Sequence, residues 1–148
     1  MSKLILTAIG TVALASQALA AYNGPLLSKS THSGFVRPGY RTHTTCEIYS
    51  DKVVLKLAAE GNQSTQERKI TLQGDLSKSI EESSRGPIES QTAPVDGPGT
   101  YYKAFRIQSD DGVETIDLAT DSGGNGKRTI NRSDAAQGLR NFIDMNCR

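Results

Sequence analysis

Cys46 and Cys147 are the only cysteines in this 148-residue chain, and any fold it adopts has to accommodate them together. The second closes the clearest helix in the sequence, Ser133 to Cys147. Ser133 is suited to cap its first turn, and Asp134 places negative charge at the positive end of the helix dipole. Ala135, Leu139, Phe142, Ile143 and Cys147 recur at the three-and-four spacing that stacks side chains on one helix face, so the sulfur is expected to point inward with the apolar stripe. In an oxidising compartment such a pair forms a disulfide, and with two cysteines its connectivity is fixed. In the chain-entropy picture, closing a loop of roughly 100 residues stabilises by about 4.7 kcal/mol.

The N-terminus points to that compartment. Lys3 precedes an apolar run from Leu4 to Ala15, and Ser16-Gln17-Ala18-Leu19-Ala20 offers small residues where a signal peptidase inspects the chain. Residues 1–20 are therefore expected to be a cleaved signal peptide, and the protein to be secreted or periplasmic. The apolar run is shorter than the about 20 residues needed to cross a bilayer core, so no membrane insertion is expected after cleavage. Beyond the signal, 16 basic residues balance 16 acidic ones, Lys3 being the one of 17 that is removed. No basic face is announced, which argues against nucleic acid and anionic membrane surfaces.

Only 24 of the 128 residues after position 20 are Leu, Ile, Val or Phe, so the core is small and the cross-link matters to it. Residues 21–39, broken by Gly24-Pro25, Gly34 and Pro38-Gly39, read as an extended N-terminal arm, and residues 40–148 as a single α+β domain. Tyr40 to Tyr49 and Lys52 to Ala59 alternate as a β-hairpin, and Thr65 to Gln73 reads as a third strand with Ile70 and Leu72 inward. A thin helix follows Asp75 and stops at Gly86-Pro87. Thr100 to Gln108 and Val113 to Ala119 flank an Asp-Gly turn as a second hairpin, with Tyr101, Phe105, Ile107, Ile116 and Leu118 on its apolar faces. The expected fold is a small antiparallel sheet of about five strands, in the order βββαββα, with helices on one face and one disulfide.

Catalytic patterns are sparse. Asp121-Ser122-Gly123-Gly124-Asn125-Gly126-Lys127-Arg128 tests as a phosphate loop and fails: Asp121 replaces the leading glycine, Arg128 replaces the Ser or Thr after the lysine, and the helix starts too late. His32 and His43 lie in different segments, and Asp110, Asp111 and Asp117 have no spacing that joins them to either histidine, so no metal or cofactor is expected. Neither a G-x-S-x-G nor a partnered Ser-x-x-Lys motif accompanies Ser77-Lys78. Asn62-Gln63-Ser64 and Asn131-Arg132-Ser133 match a glycosylation sequon but read as a turn and a capping segment.

These readings point to a non-enzymatic binding module with a protein partner. A structural envelope or matrix component is the alternative, and a protease-inhibitor-like protein the second alternative. The expected contact is the loop from Pro87 to Gly99, whose prolines stiffen it before binding; its candidate contact residues are Ile88, Glu89, Ser90, Gln91, Thr92, Ala93 and Val95.

Overall fold

The computed structural model describes residues 22–93, 97–108, 112–122 and 126–148. The expected signal segment, Val95, Asp110, Asp111 and the glycine pair at 123–124 lie outside them. Eight strands form one antiparallel sheet: β1 Leu27–His32, β2 Thr42–Ile48, β3 Lys52–Ala59, β4 Asn62–Lys69, β5 Ile88–Thr92, β6 Gly99–Ile107, β7 Val113–Ser122 and β8 Lys127–Asn131. Helix α1, Leu76–Ser84, follows β4, and α2, Asp134–Asn146, follows β8. The spatial order is β4-β3-β2-β1-β6-β7-β8-β5.

The expected small sheet of about five strands in the order βββαββα, with helices on one face, is thus corrected to one eight-stranded antiparallel sheet with two helices in the order ββββαββββα. Strand β1 lies inside the segment 21–39 that reads as an arm, and it joins the two hairpin systems at the centre of the sheet. Leu27 opposes Ile48 on one side and Ala104 on the other, and is fully buried. Its strand, Leu-Ser-Lys-Ser-Thr-His, carries one apolar residue, so no hydrophobic alternation marks it. The segment 87–99, a loop by composition, contains β5, which pairs with β8 from Ile88↔Asn131 to Thr92↔Lys127. Ile88, Glu89, Ser90, Gln91 and Thr92 are exposed residues of this edge strand, and Ala93 beyond them is buried. Strand β4 starts at Asn62 instead of Thr65, because Glu60-Gly61 closes the hairpin in two residues, with Gly61 at φ +81°. Ile70 and Leu72 consequently lie past the strand end.

The helices form where the capping signals place them. Asp75 accepts the Ser77 amide at 2.8 Å, and the Ser133 hydroxyl accepts that of Ala136 at 3.2 Å. Ile80 from α1 and Ala136, Leu139 and Ile143 from α2 join Leu27, Cys46, Ile48, Val53, Ala104, Ile116 and Leu118 in the core. Each large aliphatic side chain so enclosed contributes roughly 1.5–3 kcal/mol of burial.

Cys46 and Cys147 are disulfide-bonded, with their α-carbons 5.8 Å apart, so β2 is stapled to the end of α2. Lys29, opposite Cys46 on β1, donates to Asp144 of α2 at 2.6 Å, and the Tyr102 hydroxyl donates to the same carboxylate at 2.9 Å. Burial alone would lower the Lys29 ammonium, but its bonds to Asp144 and Tyr102 together outweigh burial and hold it above the ordinary lysine range.

Candidate functional site

The connection from β1 to β2, residues 33–41, projects from one end of the sheet and is fixed at both its neck and its tip. At the neck the Ser33 amide donates to the Thr42 carbonyl at 3.0 Å, and the Thr42 amide donates to the Ser33 hydroxyl at 3.0 Å. At the tip Arg37-Pro38-Gly39-Tyr40 closes a β-turn through a 3.1 Å bond from the Tyr40 amide to the Arg37 carbonyl. Proline at the second position and glycine at φ +93° at the third are what a type II turn requires.

This turn presents Phe35, 83% exposed, and Tyr40, 73% exposed, the two most exposed large hydrophobic residues of the described chain. Arg37 lies between them in the chain and Arg41 follows Tyr40. The chain has nine arginines. Seven of them hydrogen-bond to a carboxylate or a backbone carbonyl, as Arg68 does to Asn146 and Arg140 to Leu118 and Asn131. Arg37 and Arg41 alone have no such partner among the described residues, so their guanidinium donors face solvent.

A shallow depression of about 520 Å³ lies at the root of the loop, bounded by His32, Arg41, His43, Ala58 and Glu60. The two histidines, separate in sequence, oppose each other directly on β1 and β2. His32 Nδ1 accepts the Gly34 amide at 3.3 Å, which leaves Nε2, 3.4 Å from the Tyr101 hydroxyl, as the protonated nitrogen of the neutral ring. His43 Nε2 is 3.0 Å from the Thr45 hydroxyl on its own strand. Among the described residues no group of three or more His, Cys, Asp or Glu side chains gathers to hold a metal ion.

The other residues singled out in the sequence fall elsewhere. Arg128, which stands where a phosphate loop needs a hydroxyl, pairs with Asp121, which stands where it needs a glycine, at 2.5 Å. Asp117 opposes Lys103 in mid-sheet. Ser77 and Lys78 lie in the first turn of α1, at the opposite end of the sheet from the β1–β2 loop. There Glu81 of α1 accepts from Arg106 of β6 at 2.6 Å and from Arg85 at 2.5 Å. The hydrogen bond from Arg106 holds the Glu81 carboxyl below the usual glutamate range. Arg106 also pairs with Glu114, so its charge is shared between two carboxylates.

Sequence reasoning missed the projecting loop because Phe35 and Arg37 stand among glycines and a proline, which read as breakers, while Tyr40 and Arg41 read as the start of a strand that in fact begins at Thr42. Phe-Val-Arg-Pro-Gly-Tyr-Arg carries the available signal: two aromatics and two arginines within seven residues around a Pro-Gly turn. Comparison with protein-family models, with curated proteins and with solved structures finds no match to this chain.

Proposed function

We propose that this protein is an exported, non-enzymatic binding module that contacts a partner protein through the β1–β2 loop. The observation that carries this reading is the presence of two exposed aromatics and the two unpartnered arginines on one turn-fixed loop. Aromatic residues and arginine dominate the energetics of protein interfaces, and a loop fixed before binding loses less entropy on docking. The complementary surface is an apolar recess for Phe35 and Tyr40 with carboxylates at its rim for Arg37 and Arg41. The signal-like N-terminus and the disulfide support a secreted or periplasmic setting. Among the described residues no helix is long and apolar enough to cross a membrane.

The test is affinity capture from the native periplasm or culture medium, run in parallel with wild type, Phe35→Ser/Tyr40→Ser, Arg37→Glu/Arg41→Glu and the α2 surface control Met145→Ala. A partner held by wild type and Met145→Ala, and bound about 30-fold or more weaker by the loop variants at unchanged melting temperature, supports the reading. Equal retention by all four chains removes it.

A further inference from the structure

At the end of the sheet opposite the β1–β2 loop, α1 and the ends of β1 and β6 enclose a cleft of about 530 Å³. Its walls are Leu26, Leu72, Leu76, Ile80, Phe105 and Ile107. Of these only Ile80 is buried; the other five are half-buried and keep apolar surface directed into the open cleft. The cause is the path of the chain. Gly74 at φ +96° turns it into α1, and the turn sets Leu72 and Leu76 in the wall of the cleft with Leu26, Phe105 and Ile107.

We propose that this cleft binds a neutral, apolar small molecule. Its size falls within the ~300–1,000 Å³ of small-molecule sites, and its apolar walls with a few polar groups at the mouth are the usual composition of such sites. Charge narrows the ligand further. Among the charged residues lining the cleft, Arg106 is shared between Glu81 and Glu114, Asp75 accepts the Ser77 amide, and Lys78 is 82% exposed at the rim, 3.8 Å from Glu82. An ionic group carried against the apolar walls would lose hydration there, where the Arg106 charge is already shared between two carboxylates, whereas an uncharged ligand gains apolar contact without that loss. The cleft is independent of the loop reading, because the two sites lie at opposite ends of the sheet.

Titration of purified protein with N-phenyl-1-naphthylamine, a neutral apolar fluorophore, tests the proposal. The expected result is saturable binding of one probe per chain with a blue-shifted emission, displaced by dodecanol. Dodecanoate at neutral pH displaces it about tenfold less well, because its carboxylate loses hydration against the apolar walls. Leu72→Arg at the mouth and Ser77→Trp, which fills the space from the exposed face of α1, each weaken probe binding about tenfold or more, while Met145→Ala does not. Ser77→Trp keeps the test valid if Leu72→Arg does not fold. Non-saturable binding, displacement by dodecanoate as good as by dodecanol, or wild-type affinity in a folded cleft variant overturns the proposal.

Discussion

The His32 imidazole lies over the α-carbon of Gly99, its opposed neighbour on β6, in the space that a β-carbon would occupy. The ring is held there by the Gly34 amide, so the packing of one strand pair is linked to the neck of the projecting loop. Gly99→Ala is expected to push the ring aside, at a cost of about 1–3 kcal/mol, the usual range for overpacking. Two measurements check it: a lower melting temperature, and faster hydrogen exchange at Gly34, whose amide loses its acceptor.

Replacing Cys46 and Cys147 together by serine is expected to lower stability by up to about 4.7 kcal/mol, the chain-entropy figure for a loop of this length. The staple joins β2 to the last turn of α2, so loss should appear first as fraying of that helix. Denaturant unfolding of both proteins checks the size of the change. Two reactive thiols in the native exported protein would contradict the cross-link itself.

Helix α2 gives a graded test. Leu139 and Ile143 are buried, and truncating either to alanine should cost about 2–5 kcal/mol. Arg140 follows Leu139 and, read from the helix pattern alone, would be a surface residue of little consequence. In the structure its guanidinium donates to the carbonyls of Leu118 and Asn131, both at 2.9 Å, and burial pulls its pKa below the ordinary arginine value. Arg140→Ala leaves two acceptors without that donor and should cost about 1–3 kcal/mol. Thermal unfolding of the three variants checks the set, and a negligible effect at Arg140 would show that these bonds do not contribute.

The elements that were legible in the sequence are those with a local signal. The α2 helix, its Ser133 cap, the inward Cys147, the β2–β3 hairpin and the Asp75-capped helix each announce themselves through periodicity or capping chemistry. Strands β1, β5 and β8 do not, and β4 does so only in part: the expected strand Thr65 to Gln73 overlaps the observed Asn62–Lys69, but its inward pair Ile70 and Leu72 lies past the strand end. Asn62–Lys69 has no apolar residue and Lys127–Asn131 has only Ile130, so hydrogen-bonded pairing with a neighbour decides their conformation, and no hydrophobic period records it. Asn131 illustrates the same limit. It reads as a sequon or as part of a capping segment, yet it is 1% exposed: its amide donates to the Ser83 carbonyl at 2.7 Å and its oxygen accepts from the Ser133 hydroxyl at 2.8 Å. It joins the end of α1 to the start of α2 across 48 residues of chain, a relationship that exists only after folding. The candidate site is hidden for a related reason, since exposure and the lack of a partner at Arg37 and Arg41 are properties of the folded surface.

Glu81 makes stability depend on acid in a direction that the structure fixes. Its folded pKa is depressed below the ordinary 4.5, chiefly by the hydrogen bond from Arg106; desolvation opposes this, and the charges of Arg106 and Arg85 add smaller lowering effects. A group with a lowered folded pKa favours the folded state above its unfolded value, and that contribution is lost as the pH falls through the folded value. Glu81→Gln removes the ionisation, so the gap in melting temperature between wild type and variant should be steady from neutral pH to about 5 and close progressively below 4.5. The carboxyl lies in solvent contact, so added salt should shrink the same gap at neutral pH. A gap that is constant from pH 7 down to pH 2.5 would mean that the Glu81 charge does not contribute to folding, and that its contact with Arg106 acts through packing alone.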